Sequence, residues 1–194
     1  MEFQQVVRKR RMVRNFSDRS VPKEAVERIL ANALHAPSAG FSQGWAFLLL
    51  DDDESRARFW AVEWPEGDGR TRGGLMSAPV LIVPLSHKQA YLDRYAEPDK
   101  GWTDKDESRW PVPYWDIDTG FASMLMLLTA VDEGLAAVFF GTWRALELRA
   151  AFGIPDGYTP IGVIALGYAA ADTPSPSLKR GRRPVADVVH RGRW

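Results

Sequence analysis

The 194-residue chain has no cysteine, which removes disulfides, thiol nucleophiles and thiolate metal sites from consideration. Its three histidines, His35, His87 and His190, are far apart and lack the i,i+4 spacing of a helical metal pair, so no metal site is expected. Net charge is also absent: 25 Lys and Arg balance 25 Asp and Glu, against the overall basicity of a general nucleic-acid binder. No apolar run is long enough to cross a bilayer. The most apolar segment, "GFASMLMLLTAVDEGLAAVFFG" (120–141), is broken by Asp132 and Glu133 after about a dozen residues. The charged start lacks the apolar core of a signal peptide, and a cytoplasmic location is the expectation. One domain over residues 1–194 is expected at this length.

Two things are plentiful. There are eight tryptophans, more than a core of this size needs. The stretch "RKRRMVRNF" (8–16) also gathers Arg8, Lys9, Arg10, Arg11 and Arg14 at the start of a neutral chain, and "LKRGRRP" forms a second basic group near its end. A solvated helix face, a nucleic-acid patch and a phosphate site all fit the first cluster. Arginine's planar fork suits phosphate oxygens, and spacing alone does not decide among the three.

Helical periodicity is clearest in "VPKEAVERILANALHAPS", where Val26, Ile29, Leu30, Ala33 and Leu34 form one apolar stripe. Pro22 suits its first turn and Pro37 stops it near Ala36. Further helices are expected over residues 2–11, over 117–133 as a central buried helix ended by Gly134, and from Thr142, as N-cap, to Gly153. Asp116 and Asp118 are expected to cap the central helix. Four continuously apolar runs, "WAFLLLD", "PVLIVPL", "AAVFFG" and "PIGVIALGY", read as strands covered on both faces. The pattern predicts an α+β fold with a mixed central sheet flanked by helices on both faces. "GFSQG" (40–44) matches the G-x-S-x-G nucleophile elbow, but a helix precedes Ser42 and a strand follows it, the reverse of what the elbow requires. "GDGRTRGG" has neither dinucleotide-fold spacing nor a following helix and reads as a loop.

Taken together, "RRMVRNF", "APSAGFSQGW", "DTGFASMLMLLTAVDEGLAAVFFG", "GIPDGYTPIGVIALGY" and "RGRRPVADVV" resemble the signature segments of the nitroreductase family. They occur in order over nearly the whole chain, with the weakest likeness between about 53 and 113. The resemblance implies a flavoprotein with FMN as cofactor, an intertwined homodimer, and an insertion or lid-like segment at about 64–115. It implies that Arg10, Arg11 and Arg14, with Met12 among them, meet the phosphate and ribityl chain, Arg14 near the flavin N1/O2 edge. Arg180 and Arg182 are implied to close on the same phosphate. Pro37, Ser38, Ala39, Phe41 and Gln43 would come from the partner subunit to the isoalloxazine edge, and Phe140 and Gly141 would face flavin N5 and O4. Three positions depart from the family pattern: Phe41 replaces a frequent Asn, Gly44 a frequent Pro, and Met12 a hydroxyl residue.

The implied activity is hydride transfer from NAD(P)H, as NADH or NADPH, through flavin N5 to a planar acceptor such as a nitroaromatic or quinone. No catalytic acid or base is named, because the flavin carries the chemistry. Trp102, Trp110, Tyr114 and Trp115 either line the acceptor cavity or pack the insertion onto the core. Two other functions stand beside the first: a specialised flavin dehydrogenase or deazaflavin-linked enzyme of the same fold, and a non-enzymatic flavin-holding protein.

Overall fold

The computed structural model describes residues 1–65, 73–171 and 175–194; most of "GDGRTRGG" lies outside them. The helices are α1 (Phe3–Lys9), α2 (Lys23–Ala33), α3 (Asp53–Glu63), α4 (Gly73–Met76), α5 (Lys88–Tyr95), α6 (Tyr114–Asp132) and α7 (Ala145–Phe152). The strands are β1 (Trp45–Leu50), β2 (Val80–His87), β3 (Ala136–Phe140), β4 (Tyr158–Pro160) and β5 (Val163–Gly167). They form one sheet in the order β1-β2-β5-β3, with β4 pairing the far half of β2.

Strand alternation builds two cores. Leu81, Val83, Leu85, Val138, Val163 and Ala165 point to one face, where Phe59 and Trp60 of α3 and Leu148 of α7 cover them. Val80, Ile82, Ala137, Ile164 and Leu166 point to the other, against Ile29 of α2 and Ala122, Met126 and Ala130 of α6. Side chains that alternate between two buried faces explain why each strand reads as an unbroken apolar run. The expected α+β architecture with helices on both faces is present. The expected mixed sheet is not: the paired strands are antiparallel throughout. The parallel component is a single bridge, Met12 to Ala137, beside the β3 edge. Long helical connections return each strand beside a neighbour of opposite direction, which apolar composition does not encode.

Helix ends also shift. α1 is shorter than 2–11, and α2 stops at Ala33 rather than Ala36. Thr142 does not cap α7; the helix begins at Ala145, and Gly153 closes it in the left-handed conformation at φ 62°. Pro113 occupies the N-cap of α6. Asp116 instead accepts a 2.6 Å hydrogen bond from Ser86 Oγ, and Asp118 lies a turn inside the helix, buried. No helix among the described residues is long and apolar enough to cross a membrane.

Candidate cofactor and acceptor site

The segment after α1 runs along β3. Val13 N–H donates to the Ala137 carbonyl at 3.1 Å, and Phe139 N–H approaches Met12 Sδ at 3.5 Å. Met12 is therefore drawn inward, and Arg14 emerges near the far end of the strand. There Arg14, Phe140 and Gly141 line one open cleft of 450 Å³. Its other walls are Trp64, Gly73, Gly74, Leu75 and Trp143. At Gly141 a Cβ would meet nothing within 4 Å, whereas at Gly74 it would collide with Asn15; bare backbone faces the cleft and packs closely at its rim. Three residues that the sequence separates by more than 120 positions thus share one cavity.

The N-terminal arginines divide. Arg10 is half-buried, and its Nη1 is enclosed without a hydrogen-bond partner. Arg11 lines a different cleft, of 510 Å³, with Arg8, Lys9, Ala136 and Ala137 at the opposite end of β3. Three residues along a strand are about 10 Å, so Arg11 and Arg14 serve different ends of the edge. Arg180 and Arg182 lie on the exposed C-terminal tail; the single chain does not bring them to the cleft that holds Arg14.

The 37–44 turn is built tightly and from a distance. Ala39 N–H donates to Asp118 Oδ2 at 2.8 Å, and Tyr91 Oη–H donates to the same oxygen at 2.8 Å. Arg94 Nε–H donates to the Gly40 carbonyl at 2.9 Å, and Gln43 N–H donates to Ser38 Oγ at 3.0 Å. A Cβ at Gly40 would come within 2.6 Å of the Tyr95 ring. Phe41 (φ 57°) and Gln43 (φ 48°) both hold left-handed backbone, a conformation costing on the order of 1–3 kcal/mol for a non-glycine residue. Phe41 nevertheless projects outward, 74% exposed. Pro37 lies between the end of α2 and this turn. Ser42 donates its hydroxyl to the Ala39 carbonyl at 2.6 Å, a local turn bond with no histidine base.

The four aromatics from the insertion pack on one another. Trp110 sits 4.5 Å from Tyr95, 5.5 Å from Trp102, 5.8 Å from Tyr114 and 6.1 Å from Trp115 by ring centroids. The four rings lie beside the 37–44 turn through Tyr95, which a Cβ at Gly40 would meet, and none of them lines the Arg14 cleft. The aromatics of that cleft, Trp64 and Trp143, were not among the sequence candidates. Trp64 opens the implied insertion and Trp143 follows the Phe140 strand end by three residues, so adjacency of Trp143 to an implied flavin segment is the available signal.

One buried carboxylate governs this end of the cleft. Glu63, closing α3, accepts from Thr142 Oγ1–H and from Trp143 N–H, each at 2.7 Å. That is why Thr142 does not serve as an N-cap. Among the described residues no cluster of His, Asp or Glu is arranged to hold a metal.

The sequence profile of the Nitroreductase family matches residues 7–168. A Methanothermobacter thermautotrophicus protein whose given name pairs NADH dehydrogenase with NAD(P)H nitroreductase is 28% identical, over 100% of this chain and 88% of its own. An iodotyrosine deiodinase of Haliscomenobacter hydrossis is 26% identical, over 97% of this chain and 89% of its own. A nitroreductase family protein from Clostridium difficile superposes with a TM-score of 0.75 at 26% identity over 100% of both chains. An Exiguobacterium sibiricum protein solved in complex with FMN gives a TM-score of 0.75 at 23% identity, over 98% of this chain and 97% of that one.

Proposed function

Because the chain belongs to the nitroreductase family of oxidoreductases, we propose that it binds FMN in the Arg14 cleft and reduces a planar aromatic or quinone-like acceptor with NAD(P)H. The observation that carries this reading is the convergence of Arg14, Phe140 and Gly141 on one 450 Å³ cavity, a volume in the range of cofactor sites. The residues fit the group in a second respect. Arg10 holds a buried Nη1 with no partner, and such a donor is costly until an acceptor such as a phosphate oxygen meets it.

Bound FMN would supply the two-electron chemistry, taking hydride from NAD(P)H and giving the pair to an acceptor that also gains protons from water, as a quinone does in becoming a hydroquinone. The chain's part is binding, orientation and electrostatics. Arg10 and Arg14 complement anionic groups, and Arg14 favours negative charge on whatever ring edge lies beside it. The bare backbone at Gly141 allows close approach of a planar ring. The clamped 37–44 turn, with Phe41 held outward, is shaped to reach a second subunit rather than its own cleft. An obligate homodimer is part of the proposal, with Arg180 and Arg182 of the tail completing the phosphate site across the pair.

The test is direct. The purified protein should be yellow with flavin absorption bands. NADH or NADPH should bleach them within seconds under anaerobic stopped flow, and a quinone should restore them. A colourless protein that takes up no added FMN, or a bound flavin that neither nucleotide bleaches, would refute the proposal.

The likeness to iodotyrosine deiodinase over nearly the full chain favours one second reading, a specialised reductive enzyme of the same fold acting on a substituted aromatic. Turnover of a halotyrosine with dithionite as electron source, combined with failure to bleach with either nucleotide, would select it.

A further inference from the structure

Trp143 is 78% exposed, yet its backbone is among the most firmly tied near the cleft. Its N–H and the Thr142 hydroxyl engage the two oxygens of Glu63, which is only 2% exposed. A carboxylate is buried at considerable cost unless its oxygens are bonded, and these two groups bond both oxygens of Glu63. The next residue, Trp64, caps α3 and also lines the cleft. Its ring stacks on Trp60 at 4.7 Å and 12°, and lies 6.0 Å from Phe140 at 26°; Trp60 and Phe140 are themselves near-parallel at 6.1 Å. Glu63 therefore fixes the end of the helix that carries one indole and the loop that carries the other. Both indoles border the cavity that contains Arg14 and Gly141. An outward indole on a rigid backbone is a poor arrangement in water and a good one for a ligand that presents a flat face, because aromatic pairs gain from offset or edge contact beyond area burial.

We propose that Trp64 and Trp143 are the acceptor-selecting walls of the cleft, favouring planar aromatic acceptors over non-planar ones. Glu63 is the positioning residue that sets their separation. The inference rests on the reading of the cleft as an FMN site. Acceptor selection at this site is therefore assigned to the rim formed by the α3 end and the β3–α7 loop, and not to the aromatic cluster of the insertion.

The experiment uses the FMN-loaded protein, with 1,4-naphthoquinone as planar acceptor and ferricyanide as non-planar one. Trp143→Ala, at an exposed position that folding does not depend on, should raise KM for naphthoquinone about tenfold, the equivalent of one stacking contact. The ratio of the naphthoquinone KM to the ferricyanide KM is the readout and should rise, whatever the change in the rate of bleaching by NAD(P)H. Trp64→Ala should act in the same direction. Glu63→Ala should reproduce the naphthoquinone effect with flavin still bound, and Glu63→Gln, whose amide oxygen still accepts from Trp143 N–H, should recover most of it. An unchanged naphthoquinone KM in Trp143→Ala overturns the inference while leaving the flavin reading intact. Flavin lost from Trp143→Ala assigns the ring to the cofactor and also overturns it. Failure of the unsubstituted protein to bind FMN or to bleach falls on the underlying reading instead.

Discussion

A single oxygen of Asp118 holds together parts of the chain that lie 79 and 27 residues away: the Ala39 amide and the Tyr91 hydroxyl. The sequence offers Asp118 as a helix cap, because acidic residues near a helix start have that prior. What it does not disclose is that Pro113 starts the helix and turns Asp118 inward. Asp118→Ala should lower stability by about 2–4 kcal/mol, since it strands the buried Tyr91 hydroxyl at about 1–3 kcal/mol and the partly buried Ala39 amide at about 1 kcal/mol; the midpoint of urea unfolding reads it. Tyr91 gives the matching pH dependence. Burial, and then the Asp118 carboxylate, push its phenol well above the ordinary value of 10.0. A raised folded pKa contributes stability in full below the unfolded value, and that contribution is lost as pH climbs. Unfolding free energy should hold to about pH 10 and decline above it, and Tyr91→Phe should flatten that alkaline limb. The resemblance is what groups Arg14, Phe140 and Gly141, which line one cleft; their roles toward a flavin belong to the proposal. Glu63, Trp64 and Trp143 were not legible, because Glu63 and Trp143 are 80 residues apart and neither belongs to a spaced motif.

Elements with one strong period were readable, and elements without one were not. α2 and the four long strands follow from apolar spacing, but α3 and α5 carry many charges and no clear stripe. α3 did leave a signal, in that Asp52 accepts from Ser55 N–H at 2.8 Å as an N-cap, just ahead of two acidic residues in its first turn. α5 shows why a charged element can still be structural. Its Arg94 bonds the Gly40 carbonyl and grips both oxygens of Asp99 at 2.7 and 2.8 Å, while Asp93 accepts from Lys105 at 2.6 Å. Hydrogen bonds from Lys105 and Arg94 hold Asp93 and Asp99 below the usual carboxylate range, and one from Arg109 does the same for Asp104. Lowered folded values mean a contribution present above the unfolded pKa near 3.8 and lost as pH falls through the folded one. Individual exposed pairs contribute little, so the expected outcome is local. Amide protection factors at residues 39–44 and 88–109, corrected for the intrinsic pH dependence of exchange, should fall between pH 6 and pH 3 before those of the sheet amides do. Gly44→Ala probes the same junction by shape. Its Cβ would collide with the Tyr91 ring and stand 2.8 Å from the His87 carbonyl, an overpacking expected to destabilise by about 1–3 kcal/mol.

At the scale of the whole molecule, the two cores account for one side of α6 and leave the other bare. Ala122, Met126 and Ala130 are buried against the sheet, while Ile117, Phe121 and Met124 follow one another along the opposite side, with Phe121 47% exposed. Leu34 and Phe3 add to the exposed apolar surface, as does Phe41 on its strained turn. The tail carries Leu178, Val185, Val188, Val189 and Trp194 into solvent, an apolar set without a core of its own. Apolar patches of this extent mark an interaction surface. The proposed second copy would also account for why the basic tail and the Arg14 cleft do not meet in one chain. The central helix reads as apolar nearly all round in the sequence, and the fold buries only one side of it, so the remainder of that pattern is the surface that the proposed homodimer would cover. Phe121→Glu, which sets a charge in the middle of the stripe, should convert a dimer to a monomer by light scattering in the micromolar range. On the proposed reading, in which the partner completes the ring edge and the phosphate site, flavin should be lost in parallel. A Phe121→Glu protein that stays dimeric, or a monomer that keeps its flavin on dilution, would show that the bare side of α6 serves something other than self-association.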